Sequence, residues 1–190
     1  MFKFFSMLLA FFNVAIADVN FIGTITEESL KKFHKNTHKL ALGDTIYMYF
    51  NSEGGLVDPA FAIASKMRSY KTICLAESAM STAMYMYQAC TVRAITPKGQ
   101  LMVHNIQVMF EEKKLVDFEE MKNYIDYVDW QNKMMIGSIA YRAGMPPFIL
   151  SSMIANTAER MVFYTGQEAI DYKMADIVVK NMKELKEKFK

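Results

Sequence analysis

From Val19 onward, apolar residues switch repeatedly between the two-residue period of a strand and the three-to-four-residue spacing of a helix. Val19 to Ile22 reads as a strand. Thr24 and Glu27 stand at capping-box spacing ahead of Leu30, Phe33 and Leu40, a helix that ends near Gly43-Asp44. Thr45 to Phe50 is a β-branched and aromatic strand that runs into the turn Asn51-Ser52-Glu53-Gly54-Gly55. Pro59, at the first helical position, then opens a helix carrying Phe61, Ile63, Ala64 and Met67. Thr72 to Leu75 predicts a strand, followed by a short polar turn and a helix over Ser81 to Gln88. Val92 to Ile95 and Gln100 to His104 predict two strands about the turn Pro97-Lys98-Gly99.

Beyond Glu111 the pattern changes. Leu115 to Ala143 is one long amphipathic stretch, with Met121, Tyr124, Ile125, Val128, Met134, Met135 and Ile139 at helical spacing, stopped by Gly144 and Pro146-Pro147. Its length predicts a handle (region 111–145) that projects and buries its stripe against another subunit; an ordinary packing helix within the chain is the alternative. Phe148 to Ala155 follows. Met161 to Tyr164 is a strand, Thr165 and Glu168 repeat the capping-box spacing, and Ala175 to Val179 is a last strand. Residues 180–190 form a lysine-rich helical tail, expected to be a solvated face. Alternating elements with no repeat or linker indicate one α/β domain over residues 18–190.

The first seventeen residues do not belong to that pattern. Lys3 is their only charge, Phe4 to Ile16 is apolar apart from Ser6 and Asn13, and Ala15-Ile16-Ala17 offers small residues where a signal peptidase reads. This predicts a signal peptide over residues 1–17, cleaved after Ala17, and a periplasmic or secreted mature chain. An apolar run of about 13 residues is short of the roughly 20 that span a bilayer, so no stable membrane anchor is expected. Anchoring by an uncleaved N-terminal segment is the alternative. Export permits a bridge between Cys74 and Cys90, yet Cys74 lies in an apolar strand, where a small buried thiol is the ordinary occupant.

Composition narrows the chemistry. A net charge of +2 provides no broad electrostatic footprint for nucleic acid. The seventeen Met and fourteen Phe are scattered rather than clustered with His or Cys, so they read as core filling, and no metal or cofactor is expected. Two backbone features favour an oxyanion. Gly54-Gly55 lets the main chain approach a ligand closely. Ala76-Glu77-Ser78-Ala79-Met80-Ser81-Thr82-Ala83 joins a strand to a helix whose first N–H groups favour developing negative charge. His104, at the end of Leu101-Met102-Val103, is positioned at a strand mouth to act as base. Each signal has a plain structural reading, as turn, N-cap or satisfied histidine; their order and spacing raise them together.

These residues resemble the Clp protease proteolytic subunit and its relatives in the crotonase superfamily. The resemblance is carried by Asn51 to Gly55, Thr72 to Ser81, Arg93, Pro97, Met102-Val103-His104, Phe163 to Ala169 and Ala175-Asp176, and covers Val19 to Val179. It implies a Clp protease/crotonase-like spiral of ββα units with a protruding long handle helix. His104 corresponds to the family's general base. Laid without gaps, however, the nucleophile position falls on Met80, with Ser81 one residue later, and Ala76 and Thr82 replace glycines that usually flank the nucleophile. Ser81 takes the place if the turn is one residue longer; if Ser81 is instead one step into the helix, its side chain is rotated by roughly 100°. Ser78 is an alternative nucleophile. The family's aspartate falls on Met161. Glu159 would point to the same side of a regular strand, but about 7 Å further along, and Asp171 lies on the following helix.

Three readings follow. In the first, the chain is an exported serine peptidase acting on peptides or unfolded chains, with Ser81 as nucleophile, His104 as base, Glu159 as the candidate third member, and Gly54, Gly55 and Thr82 forming the oxyanion hole. In the second, it is a noncatalytic ring-forming or peptide-binding subunit, because methionine occupies two catalytic positions; loss of the orienting carboxylate alone costs on the order of 10⁴ in turnover. The third, a crotonase-like acyl-CoA enzyme, lacks a basic or adenine-binding feature to hold CoA. The resemblance further implies homo-oligomeric rings interdigitated through the handle. Export argues against an ATPase partner, since extracytoplasmic compartments generally lack ATP.

Overall fold

The computed structural model describes residues 15–108 and 117–189. Most of the expected leader, and the residues just before the long helix, lie outside them. Six strands and seven helices are present among the described residues, in one mixed α/β domain. The strands β1 (Ile16–Ile25), β2 (Thr45–Gly55), β3 (Lys71–Met80) and β4 (Val92–His104) run parallel in that order. β5 (Met161–Thr165) pairs antiparallel with the second half of β4, and the two-residue β6 (Ile177–Val178) pairs parallel with its first half.

The helices connecting the parallel strands are α1 (Glu27–Thr37), α2 (Val57–Met67) and α3 (Thr82–Gln88). Every residue of α3 is buried. Tyr87 and Phe50 meet edge to face there, and the Tyr87 hydroxyl donates to the Ala94 carbonyl at 2.9 Å. α4 (Phe118–Arg142) and α5 (Pro147–Asn156) follow, then α6 (Gly166–Asp171) and α7 (Met182–Lys188).

Several boundaries differ from the sequence reading, for local reasons. β1 starts at Ile16, so cleavage after Ala17 would remove its first two rungs, Ile16 with Thr45 and Ala17 with Ile46. The first cap of α1 is Thr26, whose N–H donates to Ser29 Oγ at 3.1 Å, while Thr24 donates to Glu53 across the β1–β2 pair at 2.6 Å. α2 begins two residues before Pro59. The expected turns in residues 51–55 and 76–80 are strand continuations. β4 is one strand in which residues 96–99 bulge, since Ala76 pairs with Ile95 and Ser78 with Gln100.

The handle helix divides. Gln131, Met135, Ile136, Ile139 and Ala140 on its second half are buried within the chain, whereas Phe118, Ile125 and Trp130 on its first half are exposed. The basic tail is not wholly solvated: Leu185 of α7 is buried with Tyr47, Ile73, Leu75 and Val179, covering the second face of the sheet. Arg93 and Asp176 join β4 to the β6 segment, with Nη2 to Oδ1 at 2.5 Å and Nε to Oδ2 at 3.2 Å. Burial raises the Asp176 carboxyl, and the Arg93 hydrogen bonds more than offset it, holding the group below the usual carboxylate range.

Cys74 and Cys90 form a disulfide rather than the buried free thiol expected for Cys74. β3 and the end of α3 bring their Cα atoms to 6.1 Å, within bonding range for two cysteines. The bridge closes a 16-residue separation, a loop whose closure in the unfolded chain corresponds to about 3 kcal/mol. Replacing both cysteines by alanine is expected to lower the unfolding free energy by about that amount, measured by urea denaturation.

Candidate active site

The C-terminal ends of β2, β3 and β4 converge, which in parallel α/β sheets is where ligands bind. β3 ends at Met80 and α3 begins at Thr82, leaving Ser81 alone at the corner. Its φ of 56° and ψ of −123° are unfavourable for a side-chain-bearing residue, costing on the order of 1–3 kcal/mol. Two contacts hold it there. The Ser81 N–H donates to the Met102 carbonyl at 2.9 Å, and Gly54 packs against the corner. A Cβ on Gly54 would lie 2.7 Å from both Ser81 Cβ and the Met80 carbonyl oxygen, so only glycine fits, and its φ of +99° makes the same demand.

The Ser81 hydroxyl lies 2.7 Å from His104 Nε2, and both residues are half-buried. This is the reach needed for proton transfer between a nucleophile and its base. Relative to β2, β3 contains one extra residue, Glu77, skipped between the Phe50–Ala76 and Asn51–Ser78 pairs, and this carries Ser81 to the corner. Met80 is thereby still a strand residue, opposite Met102, and Ser81 occupies the corner rather than the helix. Ser78 pairs with Gln100, four residues before His104 and so roughly 13 Å away along the strand.

The other side of the imidazole is apolar. His104 faces Met161 across the antiparallel β4–β5 pair, where opposite side chains are neighbours. Nδ1 is buried and has no hydrogen-bond partner. Glu159 lies on the exposed turn before β5 and makes no hydrogen bond to it, and Asp171 ends α6. Burial lowers the His104 pKa below that of an ordinary imidazole, while the Asn105 backbone pulls weakly the other way. His104 is therefore mainly neutral at pH 7.

Of the expected oxyanion donors, Thr82 is best placed. Its N–H opens α3, where a helix supplies no acceptor of its own, and its nitrogen lies 3.1 Å from the Cβ position built on Gly54. Gly54 rather than Gly55 is the glycine against the corner, because Gly55 faces the Ile25 backbone. The Gly54 N–H itself donates to Ser52 Oγ at 3.1 Å. Sequence reasoning missed the Met102 carbonyl, a contact that only the β3–β4 register reveals.

A profile of the Clp protease family matches residues 16–182. The chain is 27% identical over 139 residues to an ATP-dependent Clp protease proteolytic subunit of Cuscuta reflexa, and 28% identical over 142 residues to one of Chaetosphaeridium globosum. Each alignment covers 70% of this chain and 65% of the relative, so the chain spans just under two thirds of their length.

Gly54→Ala is expected to displace Ser81 from His104. The measurement is the His104 side-chain proton and nitrogen resonances, which should shift toward those of a Ser81→Ala control while the fold persists by circular dichroism.

Proposed function

Because the chain belongs to the Clp protease family, we propose that it is a serine peptidase of low turnover in which Ser81 and His104 are the working pair. The observation that carries this reading is the 2.7 Å contact between Ser81 Oγ and His104 Nε2. Ser81 Oγ attacks a peptide carbonyl while Nε2 takes its proton and passes it to the leaving amine. The acyl-enzyme is then released by water, with His104 again as base. The tetrahedral oxyanion is stabilised by the Thr82 N–H at the start of α3, with Gly54 leaving room for it at the corner.

The weak point is tautomer control. Nε2 can accept the serine proton only if the imidazole proton sits on Nδ1, and that atom is buried without an acceptor. An unsatisfied buried donor costs about 1–3 kcal/mol, and the imidazolium formed during attack has no carboxylate beside it. Met161 thus accounts for slow chemistry. The same observation favours a second reading, a noncatalytic subunit of the same architecture. In either case the exposed first half of α4, with Phe118, Ile125 and Trp130, is the surface we assign to contact with another copy in a ring. Peptides or already unfolded chains are the proposed substrates.

A fluorophosphonate probe tests the active reading. Labelling is expected on Ser81 and is expected to vanish in His104→Ala; an unlabelled oligomer would favour the noncatalytic subunit. The active base is neutral imidazole and its pKa is lowered, so the labelling rate should fall on acidification with a midpoint below 6.5, the ordinary histidine value.

Met161→Asp places a carboxylate opposite His104. It is expected to raise the labelling rate by at least tenfold, within the roughly 10⁴ that an orienting aspartate contributes. The acid midpoint should move to higher pH, because a neighbouring negative charge stabilises the imidazolium. An unchanged rate and midpoint would show that Met161 is not what limits the pair.

A further inference from the structure

We propose that the end of the sheet opposite the Ser81–His104 site is a docking surface for an anionic phospholipid bilayer. The strands β1 to β4 are parallel, so their first residues share one end of the domain, where Ile16, Thr45 and Lys71 form a rung. The segments 35–45 and 66–71 meet there, joined by the Gly43 N–H to the Ser69 carbonyl at 2.9 Å and the Lys71 N–H to the Asp44 carbonyl at 2.9 Å.

Charge and exposure at this end are one-sided. Lys39, Arg68 and Lys71 are exposed and form no ion pair among the described residues. The carboxylate in these segments is Asp44, whose oxygens accept the backbone N–H groups of Ala15 at 3.2 Å and Ala41 at 2.8 Å. In the same segment as Lys39 stands Leu42, 81% exposed. Cations at helix C-termini are ordinary, which would explain Arg68 after α2. That does not explain Lys71, which begins a strand, or a leucine left in water at the same tip.

The chain outside the described residues selects the occupant. In the uncleaved chain, residues 1–14, apolar from Phe4 apart from Ser6 and Asn13, join at Ala15, whose carbonyl accepts the Thr45 N–H at 3.2 Å at this same end. An apolar run of about 13 residues is too short to span a bilayer, and stable surface attachment generally takes an apolar signal plus a basic patch. Leu42 and the three cations supply the second signal, and docking this way leaves the Ser81 corner facing the water. The inference stands whether or not Ser81 is reactive.

Flotation of the full-length protein with vesicles tests it, comparing pure phosphatidylcholine with phosphatidylcholine mixed with phosphatidylglycerol. Three cations at the surface predict tighter binding to the anionic vesicles on the order of 100-fold, lost at high salt. The triple variant Lys39→Glu, Arg68→Glu, Lys71→Glu should lose that preference while keeping native circular dichroism and its binding to neutral vesicles. A control with Lys98, Lys122 and Lys183 changed to Glu removes the same charge elsewhere and should keep the preference. Leu42→Glu should weaken binding to both vesicles. Equal binding to the two compositions, or equal loss in the control, overturns the proposal. So does a dimer that the triple variant dissolves without any vesicle binding, which would assign the face to a second copy.

Discussion

Ser81 is held in a conformation it would not adopt by itself, and the arrangement around it follows from that restraint. A serine with φ of 56° persists only where its surroundings over-determine it. Here the Met102 carbonyl fixes its N–H, Gly54 closes the space behind it, and α3 is buried along its whole length. The corner turns the hydroxyl out of the sheet toward His104 while the next N–H opens a helix. The Ser81 hydroxyl, the His104 imidazole and the first N–H of α3 thus share one device, a strand that stops one residue before its helix.

The site is incomplete on its far side for a reason that is electrostatic rather than steric. Methionine stands opposite the imidazole across the β4–β5 pair, and burial of the ring lowers the pKa of His104 and favours the free base. The methionine offers no acceptor to choose between the two ring tautomers, and no negative charge to stabilise a protonated imidazole. A neutral imidazole and the lack of a carboxylate to stabilise its protonated form are two sides of the same half-buried, apolar setting.

The alternation of strands and helices was legible because each element buries one face, and periodicity reports burial. His104 was legible because it ends an apolar strand. Which residue turns the corner was not. Ungapped spacing put Met80 at the nucleophile position, and the extra residue, Glu77, is visible only in the pairing of β3 with β2. The bridge between Cys74 and Cys90 escaped for a related reason, since local apolarity describes a buried thiol and a buried disulfide equally well. The tail misled differently: its lysines read as solvated, yet one leucine among them, Leu185, closes a second core.

That second core ties together distant parts of the chain. α7 lays Leu185 over Tyr47 and Leu75, and Lys186 reaches Asp18, 168 positions earlier, at 2.8 Å. During synthesis the early strands must therefore wait, one face open to water, until residues made far later have left the ribosome. The interval is a window in which a chaperone, or a neighbouring nascent chain, can compete for that face.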